Sequence, residues 1–267
     1  MLEHPIITMT TDFGLKDPFV GIMKGVIFSI NPNAVVVDLS HNISPQNIAE
    51  ASYVIDIGHR HFPPTTIHIC VVDPDVGSQR RPILVVTDDH YFIGPDNGVF
   101  SHIYNRSYSI FKVIHLTAEH FFLPDRGKTF HGRDIFAPAA GWLSKGIESR
   151  KFGDEITDYI SLQSPIPRKI TKSVIEGQII YIDNFGNAVT NISKATIDSI
   201  QAEKPQGRVK VIFKGQQIYL SNFYAEGREG FSALIDSYGN IELFVYRGNA
   251  ARDFDIKVGE TIGVIVD

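Results

Sequence analysis

Cysteine occurs once in 267 residues, at Cys70, so no disulfide can form within the chain. Cys70 lies inside the apolar run Ile67–Val72, which favours a buried thiol over a nucleophile. No uninterrupted apolar stretch approaches the roughly 18 residues that cross a bilayer. Met1-Leu2-Glu3-His4-Pro5 lacks the basic-then-apolar order of a secretory signal, so the expected compartment is the cytoplasm. Positive charge is also in short supply, with 25 Lys and Arg against 30 Asp and Glu and a net charge of −5. The basic residues are scattered, and without a basic stripe facing phosphates no nucleic-acid partner is expected. Neither GxGxxG nor GxxxxGK[ST] occurs, which removes the common phosphate cradles. HExxH, CxxC and the EF-hand loop are absent too, and His59-Arg60-His61 precedes Phe62-Pro63-Pro64 in a surface connection. No resident metal or cofactor is expected.

What is present is ordinary globular composition, 43% hydrophobic and 21% charged, enough for a full core. Pro5–Thr10, Ala34–Leu39, Ile67–Val72 and Ile83–Thr87 are short Ile- and Val-rich runs. Their continuous apolar character predicts strands buried on both faces, as in a largely parallel sheet. Phe19, Ile22, Met23, Val26, Ile27 and Ile30 recur at helical spacing, ending before Asn31-Pro32. A second helix is predicted from Ser44-Pro45, with serine as N-cap and proline at the first position. A third runs from Asp134, as its N-cap, to Lys145-Gly146. This alternation predicts an α/β domain over 1–160.

Residues 161–172 carry Pro165 and Pro167 and read as a linker. Beyond it, over 173–267, strand-like runs are separated by turn signals such as Phe185-Gly186-Asn187 and Tyr238-Gly239-Asn240. A C-terminal all-β, barrel-like domain is the expectation.

Ligands in α/β sheets bind beyond the carboxyl ends of strands. Asp12, in Thr10-Thr11-Asp12-Phe13-Gly14, follows the first strand. It either accepts two hydrogen bonds from a ribose diol or caps a turn. Asp73-Pro74-Asp75-Val76-Gly77-Ser78-Gln79-Arg80-Arg81 follows the third strand with more charge than a connection needs. The competing reading is a solvated loop. His131 precedes a helix N-terminus, whose positive end disfavours imidazolium and leaves a neutral ring able to act as a base. A merely solvated loop histidine is the alternative.

Taken in order, TTDFGLKDPFVG, VVDLSHNI, VVDPDVGSQRR, IGPDNG, TFHGRDIFAP, YIDNFGN and RGNAA make the chain resemble the S-adenosyl-L-methionine (SAM) hydrolases that form adenosine. These are also called SAM hydroxide adenosyltransferases, and fluorinase and chlorinase are their relatives. The resemblance implies that Asp73, Arg80 and His131 position and activate the attacking water. It implies that Asp12 holds the ribose hydroxyls and that Asp17, Asp183 and Ser237 hold the methionine end. Asn187 and the Ala250 backbone would read the adenine edge, with Phe185 and Phe223 beside the ring. The halogenases carry Tyr-Ser where this chain has His131-Gly132 and lack counterparts of Asp73 and Arg80. Asp75 stands where the family usually has glycine.

The implied reaction is hydrolysis of SAM, as substrate rather than cofactor, to adenosine and L-methionine without metal. The implied assembly is a homotrimer with sites shared between subunits. Three alternatives compete: a non-catalytic adenosine- or SAM-binding module, a SAM-dependent halogenase, and a methyltransferase, the last disfavoured because no glycine-rich loop follows the first strand.

Overall fold

Apolar runs without polar alternation need burial on both sides, and the first unit of the chain supplies it. The computed structural model describes residues 4–106, 108–228 and 230–267, and separates into units Met1–Gln163 and Ser164–Asp267. The first unit holds β1 (Ile6–Thr11), β2 (Val35–Ser40), β3 (Ile67–Val71), β4 (Pro82–Thr87), β5 (Tyr91–Pro95), β6 (Phe111–His115) and β7 (Glu155–Ile156), in sheet order β2-β1-β3-β5-β4-β6-β7. Pairing is parallel from β2 to β5 and antiparallel from β5 through β4 and β6 to β7. The α/β class is as expected, and the antiparallel edge is an addition to it.

Alternate residues of β3 explain the unbroken run. Ile67, Ile69 and Val71 enter a core with Met23, Ile27, Ala139 and Ala140, whereas Cys70 and Val72 enter another with Ala51, Ile55 and Phe100. One face is thus covered by α1 (Phe19–Ile30) and α4 (Ala137–Ser144), the other by α2 (Ile48–His59) and α3 (Ser101–Tyr104). Each large aliphatic side chain so buried contributes about 1.5–3 kcal/mol. Cys70 is fully buried, and desolvation pushes its thiol pKa far up.

The helices depart from the sequence reading in three respects, one of buried face and two of boundary. On α1 the buried residues are Val20, Met23 and Ile27, while Phe19 and Ile22 are 41% and 39% exposed. Helix α2 starts at Ile48 instead of Ser44-Pro45, because Gln46 takes a φ of 66° and Asn47 caps the Glu50 N–H at 3.1 Å. Asp134 is no N-cap. It lies within a π-helical turn, Gly132–Phe136, that runs directly into α4.

The second unit holds β8 (Arg168–Thr171), β9 (Val174–Ile182), β10 (Ala188–Ser193), β11 (Val209–Phe213), β12 (Gln216–Tyr219), β13 (Phe231–Ile235), β14 (Asn240–Val245) and β15 (Thr261–Val266). The order β12-β11-β15-β9-β10-β14-β13 is antiparallel throughout, and a bridge from Leu220 to Ala233 nearly closes the barrel. β8, inside the segment read as linker, pairs with β9. Two short helices join the strands: α5 (Lys194–Gln201), capped by the Ser193 hydroxyl, and α6 (Ala250–Asp253), capped by Asn249. No helix among the described residues is long and apolar enough to cross a membrane.

His68, on β3, is fully buried, stacks on Phe92 at 5.1 Å, and pairs its Nδ1 with Thr8 Oγ1 at 2.8 Å. Burial, with His90 and His59 alongside, pushes its pKa down to about 2. The folded ring stays neutral while the unfolded one protonates below about 6.5. Stability present above that value is therefore lost as pH falls through it, at about 1.4 kcal/mol per pH unit for one histidine. Urea unfolding should show His68→Gln losing about 2 kcal/mol less than the wild type between pH 7.5 and 5.0. Equal losses would refute this account of the ring.

Candidate active site

Adjacent parallel strands deliver the first two carboxylates to one edge of the sheet. Asp12 follows β1 and Asp73 follows β3, its neighbour. Asp12 Oδ2 accepts from the Gln46 N–H at 2.8 Å, which ties the exit of β1 to the segment leading into α2. Asp17 is exposed on the loop leading to α1.

The loop after Asp73 folds back so that Arg80 meets it. Arg80 donates from Nε to Asp73 Oδ1 at 3.0 Å and from Nη2 to Oδ2. The two side chains are 5% and 6% exposed, an ion pair withdrawn from water. Arg80 Nη2 also donates to His131 Nδ1 at 2.8 Å, and its guanidinium lies 5.3 Å over the Phe136 ring. Two residues of one loop and a third 51 positions further on thus form one connected group.

A guanidinium only donates, so His131 Nδ1 must be the acceptor. Burial first, and the Arg80 charge second, push the His131 pKa down, which agrees with a neutral ring. Its proton then sits on Nε2, and the free nitrogen is a donor instead of the base expected from sequence. His131 also borders a cavity of about 330 Å³ together with His115, Thr117 and Arg126. Arg80 Nη1 is buried and has no hydrogen-bond partner. Such an atom costs about 1–3 kcal/mol unless something accepts from it.

The frame around this group is dense. Asn97 donates to the Val72 carbonyl at 2.9 Å, fixing the chain just before Asp73. Asp96, 2% exposed, binds Arg81 at 2.7 Å, fixing it just after Arg80. Arg81 also pairs with Asp158, so it is structural and stands outside the Arg80 group. Asp134 accepts from the Gly127 N–H at 2.8 Å and from Arg133, holding the loop that carries His131. Phe130 packs edge-on against Phe13 and Phe19 at 6.1 and 5.4 Å, tying that loop to the exit of β1. Asp75 is exposed and is not among the residues with positive φ, so its backbone does not require glycine.

In the second unit, Asp183 organises the turn between β9 and β10. Its Oδ1 accepts from the N–H groups of Phe185 and Asn187 at 2.9 and 2.8 Å, and its Oδ2 from Asn187 Nδ2 at 3.0 Å. Gly186, at φ 84°, has no room for a Cβ beside Asn249, and its carbonyl accepts from Ala251. Asn187, Phe185 and Ala250 therefore share one corner, with Phe185 72% exposed and Ala250 fully buried. Phe223, 55% exposed, precedes Tyr224, whose hydroxyl donates to the buried Glu242 at 2.7 Å. Burial and nearby Asp183 and Asp236 push Glu242 up to about 7. Ser237 is exposed in the turn that Asp236 caps.

Two family models match, the SAM hydroxide adenosyltransferase N-terminal domain over residues 7–153 and the corresponding C-terminal domain over 177–263. The chain belongs to the SAM hydroxide adenosyltransferase family. It is 32% identical to the (R)-S-adenosyl-L-methionine hydrolase of Methanocaldococcus jannaschii, covering 97% of this chain and 95% of that protein. The Thermus thermophilus hydrolase is 30% identical over 96% and 97% of the two chains. A fluorinase from an Actinoplanes species is more distant, at 26% over 73% of this chain. A crystal structure of an uncharacterized conserved protein from Thermotoga maritima superposes with a TM-score of 0.88 at 32% identity, covering 97% and 99%.

Sequence reasoning missed Asp96 and Asn97 as the residues that brace the Asp73–Arg80 loop. Their signal was present in IGPDNG, which matched the family without suggesting a role. Gly77 was likewise passed over. Its φ is 83°, and a Cβ there would meet the Lys128 carbonyl at 2.1 Å. Gly77→Ala must part the Asp73–Arg80 loop from the His131 loop. Strain of about 1–3 kcal/mol is expected in the fold. Because misplacing reacting groups by about 1 Å costs about a hundredfold, kcat should fall at least tenfold. Turnover together with circular dichroism checks this, and full activity in a folded variant would contradict it.

Proposed function

We propose that this chain hydrolyses SAM to adenosine and L-methionine by attack of hydroxide on the 5′ carbon. The observation that carries the proposal is the buried, unpartnered Nη1 of Arg80, a residue whose Nε and Nη2 are taken by Asp73 and His131. Nη1–H and His131 Nε2–H are both donors, and a site built of donors favours hydroxide over water. The hydroxide oxygen forms a bond to C5′ while the C5′–S bond breaks, its electron pair returning to sulfur. The sulfonium leaves as a neutral thioether, and the proton lost in making hydroxide goes to solvent. Neutral departure needs no general acid and no metal, and what remains is alignment and exclusion of bulk water.

In this reading Asp73 acts through Arg80: it fixes the guanidinium plane and leaves Nη1 pointed at the nucleophile. Protonation of His131 would put a second donor against Arg80 Nη2 and break that contact. The depressed pKa of His131 keeps the contact intact at neutral pH. Asp12 takes the ribose hydroxyls, with Asp17, Asp183 and Ser237 on the methionine end. Asn187, Phe185, Phe223 and the Ala250 backbone take adenine. The family membership and the hydrolase relatives support these roles.

Incubation with SAM in ¹⁸O-labelled water should give adenosine labelled at the 5′ oxygen, at a rate unchanged by EDTA. Unlabelled adenosine would exclude water as nucleophile, loss of rate on chelation would restore a metal, and tight SAM binding without product would leave a binding module.

The assembly that fits this division of roles is a homotrimer, each site drawing on two chains. A head-to-tail contact of that kind closes into a ring when the rotation between subunits is a third of a turn. Light scattering should give three times the chain mass of 29.8 kDa. Asp73→Ala and Asn187→Ala chains, each inactive alone, should regain activity when dissociated and reassembled together. No recovery would mean that each chain carries its own complete site.

A further inference from the structure

At the opposite end of β3 from Asp73 lies a second polar cavity, of about 440 Å³, lined by His59, Arg60, Asp89, His90, Arg106 and Tyr108. Five steps along extended chain lead from His68, beneath it, to Asp73, about 16 Å at the usual rise. None of its lining residues has a part in the hydrolytic site.

The walls are fixed before any ligand arrives. Arg60 and Arg106 converge on the two oxygens of Asp56, each at 2.6 Å. Arg106 uses only its Nε for this and Arg60 its Nη2, while Arg60 Nε donates to the Asp56 backbone carbonyl at 3.0 Å, which leaves other guanidinium N–H groups to the cavity. The Tyr108 ring stacks on Phe111 at 6.1 Å, and its hydroxyl is buried without a hydrogen-bond partner. The Asp88 carboxylate accepts from the Ser109 N–H at 2.8 Å, which ties the β4–β5 turn to the segment carrying Tyr108.

The acceptors lie among these donors. His59 Nδ1 donates to the Ile55 carbonyl at 3.0 Å, so in the neutral ring Nε2 is a bare acceptor. Burial holds both His59 and His90 below the ordinary histidine pKa, in keeping with neutral rings. Asp89 adds an exposed carboxylate at the rim. Charges at the cavity cancel: Arg60 and Arg106 against Asp89 and, behind them, Asp56. A dianion would face Asp89 and the His59 lone pair, and a bare cation would face two guanidiniums. The three clustered rings of His59, His68 and His90 do not form a metal site either, since no group of three ligands among the described residues could hold an ion.

What fits is a molecule with both signs and no net charge. We propose that this cavity binds a free α-amino acid, its carboxylate on Arg106, Arg60 and the Tyr108 hydroxyl, its ammonium on His59 Nε2 and Asp89. The argument is independent of the hydrolase reading, although L-methionine, the amino-acid product of that reaction, belongs to the same class.

Titration calorimetry on the full chain tests it, with glycine and L-methionine as ligands and inorganic phosphate and methylammonium as single-charge controls. Both amino acids should bind saturably, at least tenfold more tightly than either control. Arg106→Gln should abolish glycine binding and Tyr108→Phe should weaken it several-fold, while both retain SAM turnover. Asp12→Ala should leave glycine binding unchanged, which separates this cavity from the hydrolytic site. Tyr108→Phe deletes one hydroxyl, so it stands as the test if Arg106→Gln fails to fold. The proposal is overturned if glycine does not bind, if phosphate binds as well as glycine, or if binding is lost in Asp12→Ala and kept in Tyr108→Phe.

Discussion

Two opposite charges that have left water must satisfy each other, and the pair between Asp73 and Arg80 does so at 5% and 6% exposure. Removing either partner would strand the other, at about 3–5 kcal/mol. The geometry of the whole loop from residue 73 to 80 follows from that demand. With Nε and Nη2 committed to the carboxylate and Nη2 shared with His131, only Nη1 is left without a partner. A charge so constrained cannot reorient freely, and in the proposed reaction it would act as a fixed, preorganised positive charge.

The rest of the first unit braces this pair from behind. Asn97 and Asp96, adjacent residues just after β5, grip the chain just before Asp73 and just after Arg80. On the other side, Asp134 and the trio Phe13, Phe19 and Phe130 hold the loop presenting His131. The second unit uses the same economy at its own turn, where one carboxylate, Asp183, gathers the backbone of Phe185 and both donors of Asn187.

Much of this was legible in the sequence because burial on two faces leaves an unambiguous mark. The runs at Ile67–Val72 and Ile83–Thr87 read as strands because they are short, rich in Ile and Val, and show no regular polar alternation. Motif order led to the family, and spacing placed Asp12 and Asp73 at strand ends. Local backbone detail was less visible. Ser44-Pro45 has the composition of a helix start, yet Asn47 wins the cap because its partner Glu50 offers both an N–H and a carboxylate. The tautomer of His131 depends on a residue 51 positions away, which no local pattern encodes. Asp96 and Asn97 look like turn formers, and they brace the site only through contacts with chain 15 to 25 residues earlier.

The π-helical turn at Gly132–Phe136 has a consequence for how residue 131 is presented. An extra residue in one turn changes the phase of a helix, so whatever precedes it is rotated relative to whatever follows. The apolar face of α4, with Ala139, Ala140 and Leu143 in the core, is thereby uncoupled from the direction in which residue 131 is presented. Residue 131 is presented independently of α4, whereas a Cβ on the buried Gly132 would meet Met23 Sδ at 3.0 Å. One local change of helical phase thus separates the packing of α4 from the presentation of residue 131.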